Sequence, residues 1–105
     1  MIELDKDNFQ AEILDNPART LVFFSGDGCV TCEAIKPFVI ECSEKYGDKL
    51  RFAKLNTSKA RRLSMAQKVM GLPTIAIYEG GQKGETITKD GMNEAAIVAL
   101  IEKNI

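Results

Sequence analysis

Apolar residues along the chain fall into blocks with two different periods, and the blocks alternate. Residues 20–24, Thr-Leu-Val-Phe-Phe, form an apolar run of the kind that builds a strand buried on both faces, and residues 50–56 read as a second. Between them Ile35, Phe38, Val39, Cys42 and Tyr46 recur at helical spacing. This predicts a helix over 32–46, kinked at Pro37 and closed by Gly47. Phe9, Ile13 and Leu14 share one face of an earlier helix, with Asp7 or Asn8 as cap and Asn16-Pro17 as stop. A helix is predicted over 58–71, with Ser58 as cap, Leu63 and Ala66 turned inward and Gly71 as stop. Extended segments at 74–78 and 85–89 flank Gly80-Gly81 as a hairpin. A last helix over 93–103 buries Ala96, Ile97, Leu100 and Ile101.

With residues 1–4 as a short first strand, strands and helices alternate and then give way to the hairpin. That order implies an α/β fold, a central mixed β-sheet with helices on both faces and a β-hairpin near the C-terminus. No repeat, low-complexity tract or linker divides residues 1–105, so one domain is expected.

Composition narrows the classes of function. A hydrophobic content of 45% supports a real core, while 14 basic and 15 acidic residues leave a net charge of -1. Such a balance creates no field that would hold nucleic acid or an anionic membrane, so neither is expected as a partner. The acidic, charge-broken start "MIELDKDNFQ" lacks the basic and apolar regions of a secretion signal, and no apolar run is long enough to span a membrane. A cytoplasmic location and a monomer are the expectations.

The candidate chemistry lies in "GDGCVTCEAIKPF", residues 26–38, where Cys29 and Cys32 stand two residues apart as a strand runs into a helix. A four-ligand zinc site or cluster cannot be closed by one chain with three cysteines and no histidine, although two chains sharing such a cluster would satisfy the count. The absence of histidine also removes a Cys-His nucleophile. No metal and no bound cofactor are expected. Two readings remain: sulfur tolerated in a core, or a redox pair. A helix N-terminus favours the second, because its free N–H groups stabilise a thiolate. Cys29 would then attack a disulfide, and Cys32, one turn inward, would resolve the mixed disulfide.

The segments "LVFFSGDGCVTCEAIKP", "FAKLN", "MGLPTIAIYEGG" and "KDGMNEAAIVALI" resemble the thioredoxin family along nearly the whole chain. The specific pieces are the C-x-x-C, Pro37 five residues after Cys32, and the later "GLPT". The resemblance implies a thioredoxin fold and a protein-disulfide reductase working through a reversible Cys29–Cys32 disulfide. Its implied partners are a flavoprotein thioredoxin reductase as electron donor and disulfide-containing target proteins. It further implies a cis peptide bond before Pro73, which packs beside the disulfide and frees the backbone of Leu72 to pair with an extended substrate chain. Gly91 matches a glycine that keeps this surface open, and Gly28, Val30 and Thr31 complete the substrate contacts.

Departures from the family pattern bear on mechanism. Where members commonly have "WCGPC", this chain has "GCVTC", so Gly28 replaces a tryptophan and Val30-Thr31 replace Gly-Pro. Phe23 stands where the family places a buried Asp that helps deprotonate the resolving thiol, and Lys54 matches a lysine that lies near that Asp. Asp27 and Glu33 are the nearest acidic replacements in sequence. The competing readings are a binding or scaffold module of the same fold without redox turnover, and a glutathione-linked, glutaredoxin-like enzyme.

Overall fold

The computed structural model describes all 105 residues. Five strands form one mixed sheet: β1 (Ile2–Leu4), β2 (Thr20–Ser25), β3 (Arg51–Asn56), β4 (Thr74–Glu79) and β5 (Gln82–Ile87), in the order β1-β3-β2-β4-β5. β1 and β2 run parallel to β3, while β4 is antiparallel to both β2 and β5. β2 thus lies at the centre of the sheet. Leu21, Val22, Phe23 and Phe24 on it are fully buried because both faces of the strand are covered, as their unbroken apolar run requires.

Period-two alternation sends these residues to opposite layers. Leu21 and Phe23 join a core with Cys32, Val39 and Cys42 of α1 (Val30–Tyr46) and Ile97, Leu100 and Ile101 of α3 (Glu94–Glu102). Val22 and Phe24 join Phe9, Ile13, Ala60 and Tyr78 on the other face. Burying each such large side chain contributes on the order of 1.5–3 kcal/mol. The mixed sheet covered on both faces is the architecture expected from the sequence.

Several boundaries differ from expectation. The first helical segment is a π-helical turn, Gln10–Leu14, whose N-cap is Phe9 with no side-chain cap, so neither Asp7 nor Asn8 caps it. Asp5 and Asn8 instead form a reciprocal box: the Asp5 carboxylate accepts from Asn8 N–H at 2.8 Å and Asn8 Oδ1 accepts from Asp5 N–H at 2.7 Å. The segment predicted as a helix over 58–71 divides into a 3₁₀ turn, Thr57–Lys59, and a short α2, Arg61–Ala66. Asn56, not Ser58, caps the 3₁₀ turn by accepting from Ser58 N–H at 3.0 Å. Leu63 packs half-buried against the core as expected, but Ala66 faces solvent; the fully buried residue is Ser64, whose hydroxyl donates to the Ala60 carbonyl at 2.8 Å.

The hairpin turns on Gly80 and Gly81, both at positive φ (61° and 77°), the pairing a tight two-residue turn demands. β5 therefore begins directly at Gln82 and ends at Ile87, earlier at both ends than the 85–89 expected. Pro37 lies inside a continuous 17-residue α1, with Gly47 as its C-cap. Asn93 caps α3 by accepting from Ala96 N–H at 2.8 Å.

Candidate active site

β2 ends at Ser25 beside the start of α1, and the turn between them, residues 26–29, presents the cysteines. Gly28 adopts φ +72°, a left-handed conformation that glycine enters without a side-chain penalty. The turn is braced by the end of β3. Asp27 N–H donates to Ser58 Oγ at 2.9 Å, Asn56 Nδ2 donates to the Asp27 carboxylate at 2.9 Å, and Thr57 Oγ1 donates to the Ser25 carbonyl at 2.9 Å. Of these residues, Asn56 and Thr57 carry no expectation from the sequence, and Ser58 is expected only as a helix cap. The polar run Asn56-Thr57-Ser58 signals local capping, but only the fold brings it to the cysteine turn.

Cys29 is the N-cap of α1, in extended conformation (φ -85°, ψ 102°), and forms a disulfide with Cys32, the Cα atoms 5.2 Å apart. Its Sγ accepts from Cys32 N–H at 3.2 Å and lies 3.5 Å from Thr31 Oγ1. The sulfur thus occupies the place of a capping oxygen at the positive end of a helix, where negative charge is favoured. Cys29 is half-buried, whereas Cys32 is only 1% exposed. Cys42 is a free buried thiol on the same helix, pushed above the usual thiol range by burial and secondarily by Glu41.

Across from the pair, the Leu72–Pro73 peptide is cis. Pro73 is buried and lines a shallow groove of about 220 Å³ together with Thr31, Ala34, Ile35, Lys89 and Met92. Neither the N–H nor the C=O of Leu72 takes a partner within the chain. The chain belongs to the thioredoxin family. Its family model, described as Thioredoxin, matches residues 1–103. A thioredoxin of Peptoclostridium acidaminophilum is 50% identical, covering 100% of this chain and 96% of that one. A thioredoxin of Acetoanaerobium sticklandii is 47% identical over the full length of both. Among solved structures, Plasmodium falciparum thioredoxin superposes with a TM-score of 0.89 at 27% identity, each chain covered in full. Chlamydomonas reinhardtii thioredoxin f2 does so at 0.87 and 28%, covering 98% of this chain and 94% of its own.

The chain is accordingly a thiol–disulfide oxidoreductase, a protein-disulfide reductase whose redox centre is a disulfide; thioredoxins use no other cofactor. The binding-module alternative is not favoured. No group of three or more His, Cys, Asp or Glu side chains stands close enough to hold a metal ion, and no helix is long and apolar enough to cross a membrane.

Val30 is 81% exposed at the first position of α1, and Thr31 follows it on the surface. Gly91 is exposed in a 3₁₀ turn, Lys89–Gly91, and it is Lys89 of that turn that lines the groove. Phe23 is wholly buried in the same core as Cys32 and stands level with Lys54 of β3. Neither Asp27 nor Glu33 hydrogen-bonds the Cys32 sulfur; with Lys36, Lys54 and Asn56 they line a polar cavity of about 440 Å³ on that side.

Proposed function

We propose that Cys29 is the attacking thiol and Cys32 the resolving one in the reduction of target-protein disulfides. The observation that carries this is the asymmetry of the pair: Cys29 Sγ is at the helix cap, receiving an N–H, while Cys32 lies within the core. The Cys29 thiolate attacks one sulfur of the target disulfide, and the other target sulfur leaves as a thiolate. Cys32 then attacks the Cys29 sulfur, releasing the second target thiolate and closing Cys29–Cys32. Two electrons pass to the target, and two protons complete its thiols.

Leu72 offers an unpaired N–H and C=O to an extended target segment, in the manner of strand addition, with Pro73, Gly28, Val30, Thr31 and Gly91 around it. The disulfide is returned to the dithiol by a flavoprotein thioredoxin reductase, which makes the protein an electron carrier between that enzyme and its targets. Residues 1–105 act as one domain, as a monomer, in the cytoplasm. Differential alkylation of the reduced protein tests the roles: Cys29 should be modified well before Cys32. Equal labelling would contradict the assignment. Turnover of a disulfide-bonded protein by NADPH, purified reductase and this chain tests the donor.

A further inference from the structure

The groove beside the disulfide is lined by Thr31, Ala34, Ile35, Pro73, Met92 and a single charged residue, Lys89. Its aliphatic stem lies against Gly71: a Cβ placed on that glycine would meet Lys89 Cδ at 3.9 Å and Cγ at 4.0 Å, ordinary packing distances. Gly71 directly precedes Leu72, whose backbone groups are unpaired. The Lys89 ammonium enters none of the three ion pairs of the molecule and makes no side-chain hydrogen bond, although Asp90 follows it on the same turn. A cation without a partner thus flanks the path of any chain that pairs with Leu72. The acidic residues Asp27 and Glu33 line a different cavity.

We propose that Lys89 is a specificity-determining residue, receiving an Asp or Glu carboxylate that flanks the target's disulfide cysteine. Acidic disulfide segments are then preferred substrates. The inference rests on the proposed docking of targets at Leu72. An ion pair at the edge of a groove is only partly desolvated, so the preference is a kinetic selection of roughly three- to fivefold, and salt weakens it.

The test uses the reduced protein and disulfide-bonded peptides that differ only in one residue near the cysteine: Glu, Gln or Lys. Rates of Cys29–Cys32 oxidation should fall in that order, with Glu about three- to fivefold over Gln at low salt, and converge at high salt. Lys89→Met, which keeps an apolar stem over Gly71, should level the three rates, and Lys89→Glu should reverse their order. Equal rates in the unmodified protein, or an order unchanged in both variants, would overturn the inference. A fourth peptide, N-methylated where its backbone would meet Leu72, separates the two ideas. Indifference to that methyl group overturns docking at Leu72, and the charge order alone decides the role of Lys89.

Discussion

Phe23 on β2 and Cys32 on α1 lie in one buried core, with 0% and 1% of their surfaces exposed. Where the family pattern provides a carboxylate beneath the resolving thiol, this chain has an aromatic ring. The ring cannot take a proton from the resolving thiol. Lys54, level with Phe23 on the neighbouring parallel strand, has no carboxylate within ion-pair distance.

Replacing Phe23 by Asp should therefore have two opposed effects. Stability should fall by about 4 kcal/mol or more, since ring packing is lost and a carboxylate is buried, with Lys54 offsetting only part of the cost. Denaturant unfolding reads this directly. Resolution of a preformed Cys29 mixed disulfide should nevertheless accelerate near pH 7, because a general base has been supplied. An unchanged resolution rate would show that solvent carries the proton unaided.

Thr31 is expected to influence the redox poise. Its hydroxyl lies 3.5 Å from Cys29 Sγ and can donate to the thiolate of the reduced form, which stabilises that form. The potential should be less negative than the value of about -270 mV typical of thioredoxin. Thr31→Pro, which removes the hydroxyl, should move it downward by about 30–60 mV, the equivalent of one hydrogen bond to a charged group. Equilibration against glutathione measures both; a value well below that reference in the unmodified protein would contradict the argument.

Cys42 shares the core with Val39 and Leu100 and is expected to take no part in exchange. Burial holds its thiol protonated, so it should resist alkylation while the fold is intact. Cys42→Ala should keep full turnover and cost about 1 kcal/mol in unfolding free energy from the small cavity left behind. Lost activity, or a Cys42-linked dimer in the unmodified protein, would instead reveal a regulatory thiol.

What the sequence made legible follows from burial. The strands β2, β3 and β4 and the helix α3 could be read because each buries its apolar residues, so their spacing reports the face that packs. α2 resisted reading for the opposite reason. Only Leu63 gives it an apolar anchor; its fully buried contacts are the small residues Ala60, at its N-cap, and Ser64, which carry little hydrophobic signal, while Met65 and, beyond its end, Met70 are 71% and 88% exposed. Its stop was also concealed. Val69 N–H donates to the Ser64 carbonyl and Lys68 N–H to that of Met65, both at 2.9 Å, a Schellman closure. The left-handed position in it, φ 60°, is held by Lys68 and not by a glycine. The cysteine pair and Pro73 could be found by motif, whereas the brace from Asn56, Thr57 and Ser58 and the place of Lys89 depend on contacts between segments distant in sequence.

The division of labour between the two cysteines is the central claim, and trapping tests it most directly. Cys29→Ser and Cys32→Ser variants are reduced, mixed with a disulfide-bonded target, acid-quenched and resolved without reductant. Cys32→Ser should accumulate a covalent Cys29–target adduct, because attack proceeds and resolution cannot, while Cys29→Ser should form none and release no target thiol. An adduct through Cys32 in the Cys29→Ser variant, or multiple turnover by either variant, would contradict the account.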